Sequence, residues 1–143
     1  AGRIVVLDKA EGTGFLRAAP RIGEVVPVHA TAIGRLHLAF APDRVRLPAG
    51  SLQRFTPSTP TQPAAVRAAV EKASRQGWAE NREEWIPGLH VVAAPVLVKG
   101  RLEATLAVAA PAIHVAPTDA SRLARRMLAA AERVSARLEG RSR

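Results

Sequence analysis

The stretch QGWAENREEWIPGLHVVAAPVLV, residues Gln76–Val98, decides the fold. It begins at a predicted helix end, Gly77, and passes through the polar cluster Asn81 to Glu84. After a turn at Pro87-Gly88 it continues as an unbroken apolar run, which is typical of a buried strand. A polar loop that leads directly into a buried strand places side chains at the edge of a core. We therefore expect a small-molecule site in this part of the chain.

A second strand follows the first at once. Leu89–Val98 and Leu102–Ala110 predict a hairpin, because Lys99-Gly100 suits a tight turn. Alternation along the second strand divides its side chains between two faces. One face carries Leu102, Ala104, Leu106 and Val108, and the other carries Glu103, Thr105, Ala107 and Ala109.

Three helices are predicted around this hairpin. The first is capped by Thr31 and ends at Pro42, and Gly34 inside it indicates close backbone packing or a ligand near the helix start. The second runs from Pro63 to Gln76, with Gly77 after its end. The third runs from about residue 118 to residue 139, ends at Gly140 and exposes a row of arginines. Arg3–Asp8 and Phe15–Ala18 predict a further hairpin. This order of elements predicts an α+β domain with an antiparallel sheet and helices packed on it.

Composition narrows the class of protein. A chain of 143 residues, 48% of them hydrophobic, predicts one domain with a real core. Cysteine is absent and no apolar run reaches about 18 residues, so we expect a cytoplasmic protein with no membrane partner. The net charge is +9, but the arginines are scattered and no aromatic residues interleave them. We therefore interpret the charge as arginine-rich composition and not as a nucleic-acid surface, although binding through the last helix stays an alternative.

Direct signs of catalysis are weak. The four histidines lack metal-ligand spacing, and neither a nucleophile elbow nor a phosphate-binding glycine loop is present. Glu83 and Glu84 are adjacent, so an extended backbone points them in opposite directions and favours surface or helix-capping roles. His29 is interpreted as a local hydrogen-bonding residue. We expect no catalytic residues, no metal and no cofactor; an enzyme using Glu83, Glu84 and His29 is the competing hypothesis.

Three blocks of sequence resemble a known family. They are PVHATAIGRLHLAF (Pro27–Phe40), RFTPSTPT (Arg54–Thr61) and QGWAENREEWIPGLHVVAAPV (Gln76–Val96). In this order they resemble the signature of the effector-binding domain of IclR-type bacterial transcription regulators, and they extend over nearly the whole chain. The resemblance implies a GAF-like domain with a central antiparallel sheet flanked by helices.

The resemblance also implies partners. In that family the domain binds a small-molecule effector and assembles homodimers or homotetramers, while a separate N-terminal winged helix-turn-helix contacts operator DNA. We expect residues 1–143 to form a single ligand-sensing and oligomerisation domain, with the DNA-binding domain absent from this chain.

The family's effector contacts fall on six positions of this sequence, by resemblance alone. Backbone amides at Ala32 and Ile33 would face the effector, together with the side chains of Asn81, Val91, Ala107 and Ala109. Asn81 is neutral where the family usually has a carboxylate, and the last three are apolar where hydroxyl or thiol groups are common. Because an unpaired buried charge is costly, we expect a rather apolar or aromatic effector. The competing hypothesis is a degenerate pocket that serves only oligomerisation.

Overall fold

Three antiparallel strands in the order β1-β2-β3 form the sheet of the computed structural model, which describes residues 2–12 and 20–141. The elements in chain order are α1 (Ala32–Phe40), α2 (Pro63–Gln76), β1 (Ala79–Arg82), β2 (Leu89–Val98), β3 (Arg101–Pro111) and α3 (Ala120–Arg141). Two short 3-10 turns, Ala112–His114 and Pro117–Asp119, connect β3 to α3.

The β2–β3 hairpin is the centre of the sheet. Lys99 and Gly100 both have positive φ, 50° and 77°, which is the backbone of a tight hairpin turn whose twist matches that of the strands. The register runs from Val98 opposite Arg101 to Leu89 opposite Pro111, with one irregularity between Val96 and Leu97. The predicted hairpin is therefore confirmed.

Helices cover both faces of the sheet. Even-numbered residues of β2 face α3, where Val92 packs on Ala124 and Val96 packs on Ala131. Odd-numbered residues face α1, where Ala93 lies in one buried cluster with Leu36. Both faces of β2 are therefore buried, which explains why its sequence is apolar apart from His90. The α+β class with a flanked antiparallel sheet is confirmed.

Two sequence-based predictions about element boundaries were wrong. The cluster Asn81 to Glu84 was expected to be a polar loop, but its first two residues belong to the edge strand β1 (Ala79–Arg82), whose Ala79 and Asn81 are buried against the rest of the sheet. Gly140 was expected to end the last helix, but α3 continues to Arg141 because Gly140 does not adopt the left-handed backbone conformation.

The N-terminal region contains less regular structure than predicted. Instead of a strand, Arg3–Asp8 forms a single antiparallel bridge, Val5 with Val25. A small buried cluster lies next to this bridge and consists of Ile4, Val26 and Val45. The predicted return strand Phe15–Ala18 lies outside the described residues.

Pro95 lies in β2 just past the end of β1. The last β1–β2 pair is Ala79 with Ala93, and odd-numbered residues of β2 direct their backbone polar groups toward β1, as the Glu83 N–H to Leu89 carbonyl bond shows. Pro95 lacks a backbone N–H, but β1 does not extend to this position, so the proline removes no hydrogen bond between β1 and β2.

None of the helices within residues 2–12 and 20–141 combines the length and apolar character needed to cross a membrane.

Gly34 sits where α1 touches the segment before it. A Cβ at this position would lie 2.0 Å from the carbonyl oxygen of Val28 and 2.7 Å from its Cα. Both atoms belong to the backbone, so the contact cannot be relieved by a side-chain rotation. The expectation of close backbone packing at Gly34 is confirmed.

Replacing Gly34 with alanine should therefore destabilise the domain by about 3 kcal/mol or more, at the upper end for an overpacked core. The gain in helix propensity, about 1 kcal/mol, is too small to offset this clash. Urea denaturation of Gly34→Ala and Gly140→Ala tests the prediction. Gly140 is also helical, and an added Cβ there meets no described atom within 4 Å, so this control should be neutral or slightly stabilised. Equal stability of the two variants would contradict the packing argument.

Candidate functional site

The six residues carried over from the family signature lie around one face of the sheet. Asn81 pairs with Val91, and Val91 pairs with Ala109. Ala93, the next residue of β2 on this face, pairs with Ala107. Directly paired residues of antiparallel strands point to the same side, so these side chains share the face that α1 covers. Ala32 and Ile33 pack in the same cluster as Val91.

Asn81 joins the start of α1 to this sheet face. Its side-chain Nδ2 donates to the carbonyl of Ala30 at 2.9 Å, and its Oδ1 accepts from the Glu84 N–H at 3.0 Å. Thr31 caps α1 by accepting from Gly34 N–H at 3.0 Å, as predicted. The N–H groups of Ala32 and Ile33 precede Gly34 in the first turn, where a helix supplies no acceptor of its own. These two backbone donors therefore need an acceptor from outside the helix.

The predicted site is closed at one end and open at the other. Ala32 and Asn81 are buried, whereas Ala107 and Ala109 are exposed. None of the six residues lines the clefts of about 350 and 510 Å³ found in the described part of the chain. At the closed end, Ala30, Ala32 and Asn81 are buried, and Asn81 is bonded to the Ala30 carbonyl.

Two threonines hold the loop at the rim of this face, a role that the sequence analysis did not assign to them. Thr56 donates to the carbonyl of Glu83 at 2.5 Å, and Thr59 donates to the carbonyl of Glu84 at 2.6 Å. Both threonines are buried. The run TPST could have signalled this role, because closely spaced threonines can satisfy the backbone of a neighbouring loop.

A buried ion pair also fixes this loop, and the sequence did not predict it. Arg35 of α1 is 6% exposed, and its Nη2 donates to the carboxylate of Glu84. Its Nη1 donates to the carbonyl of Glu80 at 2.5 Å. The surface or capping role expected for Glu84 is therefore wrong, because Arg35 draws that carboxylate into the interior. Glu83 instead accepts from the Gly88 N–H at 2.8 Å, across the turn.

The opposite face of β1 carries a charged chain of contacts. Arg82 donates to the carbonyls of Ala112 and Val115, and its Nη2 lies 3.3 Å from Nδ1 of buried His90. The other ring nitrogen of His90 lies 2.9 Å from the Glu80 carboxylate. Since a guanidinium can only donate, Nδ1 accepts and the Nε2–H donates to Glu80. This network joins β1 to β2 and the 3-10 turns, a structural role.

His29 forms a hydrogen bond, as predicted, but its partners are not local, because they lie 24 and 26 residues further along the chain. Its Nε2 lies 2.7 Å from the carbonyl oxygen of Gln53, and its ring stacks on Phe55 with centroids 5.6 Å apart. Among residues 2–12 and 20–141, no three histidine or carboxylate side chains are grouped closely enough to hold a metal ion.

The environment of His37 predicts a stability that depends on pH. Burial lowers the pKa of His37 below its ordinary value of 6.5; the hydrogen bond from its ring to the Ile33 carbonyl opposes this, and the nearby charge of Arg44 adds to the lowering. The unfolded chain therefore binds a proton at a pH where the folded chain does not. Folding stability falls as the pH drops through 6.5 toward the folded-state pKa.

We expect His37→Gln to weaken this dependence, because glutamine cannot take up a proton but can still donate to Ile33. Urea denaturation at about pH 7.5 and about pH 5.5 measures the loss of stability on acidification in each protein. His114→Gln, which removes an exposed histidine, serves as the control. An unchanged loss in His37→Gln would show that His37 does not cause the dependence.

Asn81→Asp should destabilise the domain by about 1–3 kcal/mol at neutral pH, even though it restores the family's usual carboxylate. Aspartate can still accept from Glu84 N–H, but it places a second acceptor against the Ala30 carbonyl in a buried position. The deficit should shrink as the pH falls, because a protonated carboxyl can donate to Ala30. Urea denaturation as a function of pH measures it, and a variant as stable as wild type at neutral pH would contradict the assigned hydrogen bonds.

Comparisons with known proteins agree on the family. The family model described as bacterial transcriptional regulator IclR C-terminal matches residues 1–136. The curated regulator KdgR of Escherichia coli (strain K12) is 30% identical over 94% of this chain and 53% of its own length. The Thermotoga maritima IclR structure superposes with a TM-score of 0.83 at 26% identity, covering 94% of this chain and 56% of that one.

A further structure shares the fold at lower identity. It is a double mutant of the PobR inducer-binding domain from Acinetobacter, with a TM-score of 0.73 at 22% identity, covering 92% of this chain and 85% of that one. The chain spans 38%, 49% and 53% of the lengths of three curated regulators that it matches. The chain therefore belongs to the IclR family of bacterial transcriptional regulators, as the regulatory C-terminal domain of that family.

Proposed function

We propose that this domain senses a small-molecule effector that is rather apolar or aromatic, and that it binds the effector on the sheet face beside α1. The site would consist of the backbone of Ala32 and Ile33 with the side chains of Asn81, Val91, Ala107 and Ala109. No catalytic role is proposed for these residues, since none of their side chains is a nucleophile or titrates near neutral pH.

One observation carries the proposal: the paired strand residues on this face include no charged side chain. Glu103, which alternation in the sequence assigns to this face, lies at the irregularity of β3 and has no partner on β2. The paired residues include Ala79, Asn81, Val91, Ala93, Pro95, Thr105, Ala107 and Ala109. A small dicarboxylate or keto acid placed here would lose its hydration without gaining a cation, which is costly. An apolar or aromatic body would instead gain about 25 cal/mol for each Å² that it buries.

Orientation of such an effector would depend on few polar groups. The first-turn N–H groups of Ala32 and Ile33 can donate to a single oxygen atom, at the positive end of the helix dipole. The PobR domain, which shares this fold, was solved with 3-hydroxybenzoic acid. That precedent supports aromatic compounds as the first class to test.

A second candidate function is an oligomerisation module whose pocket binds nothing. The side-chain amide of Asn81 already bonds to Ala30 and Glu84, and Ile33 packs into the buried cluster beside Val91. Both facts reduce the space and the free donors beside Asn81. In this alternative, the exposed end of the face at Ala107 and Ala109 would serve only contacts between copies.

The parent protein is proposed to act on DNA. A separate N-terminal winged helix-turn-helix would bind operator DNA in the cytoplasm, while residues 1–143 form the sensing domain and assemble homodimers or homotetramers. The arginines of α3 that the sequence singled out are exposed, consistent with a solvated face. No DNA contact is assigned to them.

A thermal-shift screen tests the effector class. At about 100 times its dissociation constant, a ligand stabilises by about 2.7 kcal/mol, a rise in melting temperature of roughly 5–10 °C. We expect the neutral aromatics phenol and indole to raise the melting temperature through the sheet face. Glyoxylate and pyruvate should produce little shift that depends on this face, that is, little shift that is lost when the face is filled by Ala107→Leu. A strong response to the keto acids with none to the aromatics would contradict the proposal. No response to any compound would favour the oligomerisation module.

The variant Ala107→Leu tests whether the aromatic compounds raise the melting temperature by binding to the sheet face. Because Ala107 is exposed, the leucine should leave folding intact while filling the face, and the aromatic shift should disappear. Ala129→Leu adds the same side chain to an exposed position of α3 and should respond as wild type does. If Ala107→Leu keeps the full shift, the ligand binds elsewhere.

A further inference from the structure

The cleft of about 350 Å³ lies at the outer edge of β1 and shares Ala79, but none of the six proposed effector contacts, with the sheet face described above. Its lining includes the α2 residues Ala69, Lys72 and Ala73, the β1 residues Glu80 and Arg82, and Pro117. Arg35 and Glu84 also contribute to it. At this size the cleft can enclose a small metabolite.

Charge distinguishes this cleft from the sheet face. Three cationic and two anionic side chains line it, so its lining has one excess positive charge. Glu84 is paired with Arg35, and Glu80 accepts from His90. Lys72 is exposed and has no carboxylate partner within residues 2–12 and 20–141. Arg82 also lacks a carboxylate partner, but its guanidinium is held by the carbonyls of Ala112 and Val115. The exposed ammonium of Lys72 is therefore the cation that can turn toward a single negative charge on a ligand.

The free edge of β1 adds backbone donors. The Glu80 carbonyl accepts from Arg35, so the backbone of Glu80 faces away from β2. By the alternation of an antiparallel strand, the N–H groups of Glu80 and Arg82 also face this edge. The edge of a sheet with outward N–H groups is a favourable place for an anion.

Arg35 has a buried donor atom, its Nε, that lacks an acceptor in the described part of the chain. The Arg35 side chain as a whole is 8% exposed. A buried donor without an acceptor is costly, so an oxygen atom that reaches it would bind favourably.

We propose that this cleft binds a small organic monocarboxylate. Its carboxylate would lie between the Lys72 ammonium and the outward N–H groups of β1, and its hydrocarbon part would pack on Ala69, Ala73 and Pro117. The two glutamates disfavour a dianion, because only one of the three cations lacks a protein partner. This site is separate from the proposed effector site, since none of the six effector-contact residues lines it.

Amide chemical-shift titration of the 143-residue chain tests the site. The probes are isobutyrate, its neutral counterpart isobutyramide, and inorganic phosphate. Isobutyrate should produce saturable shifts in Lys72, Ala73, Glu80 and Arg82, and isobutyramide should not. Lys72→Gln should weaken isobutyrate binding on the order of tenfold, the effect of losing one charge-assisted hydrogen bond. Arg67→Gln removes another exposed cation of α2 that lies outside the cleft, and should bind as wild type does.

Several outcomes would overturn the proposal. They are the absence of saturable shifts with isobutyrate, equal binding of isobutyrate and isobutyramide, saturation by phosphate alone, and unchanged affinity in Lys72→Gln. Ala107→Leu separates this site from the sheet face, because isobutyrate binding in the cleft should survive that substitution. Its loss in Ala107→Leu would assign the carboxylate to the sheet face instead.

Discussion

Burial of the Arg35 guanidinium is the constraint on which the arrangement of α1, β1 and the following loop depends. A buried cation is tolerated only when protein acceptors replace its water, and the acceptors here come from two places. The Glu80 carbonyl holds it to the free edge of β1, and the Glu84 carboxylate holds it to the loop. Because Asn81 lies between these two residues, the position of its amide follows from the same contacts.

Glu84 connects this ion pair to the sheet face. Its carboxylate contacts Arg35, while its N–H donates to Asn81 and its carbonyl accepts from Thr59. Every polar group of that residue is therefore used on a different element. A loop held in this way costs little further entropy when a ligand binds beside it, which is the benefit of preorganisation.

The two faces of the same sheet have different chemistry, and this follows from alternation along β1. Odd-numbered Ala79 and Asn81 join the uncharged face under α1, whereas even-numbered Glu80 and Arg82 join His90 on the other side. Alternation along the four residues of β1 thus places an uncharged surface on one side of the sheet and charged side chains on the other.

Much of this fold could be predicted from the sequence, because its signals are local. The Thr31 cap, the glycine after α2 and the Lys99-Gly100 turn each depend on neighbours within a few residues. Strand β1 could not be predicted in this way, since its four mostly polar residues form a strand only by pairing with β2. The burial of Arg35 was missed for a similar reason: its partner Glu84 lies 49 positions further along the chain. Placement of the effector contacts depended on family resemblance, because alanine and valine carry no chemistry that marks a site.

Pro95 has a consequence for how the sheet can grow. β2 extends past its pairing with Ala79 and has no neighbour from β1 there, and a strand edge without a partner is ordinarily a template for pairing with another chain. A proline at this position removes the donor that an incoming strand would need. If a strand from another chain paired with this part of β2, the carbonyl group opposite Pro95 would have no N–H to accept from. Because Pro95 has no N–H, the short β1 leaves no unpaired donor at this position of β2. The same property of Pro95 disfavours edge-to-edge aggregation at this position.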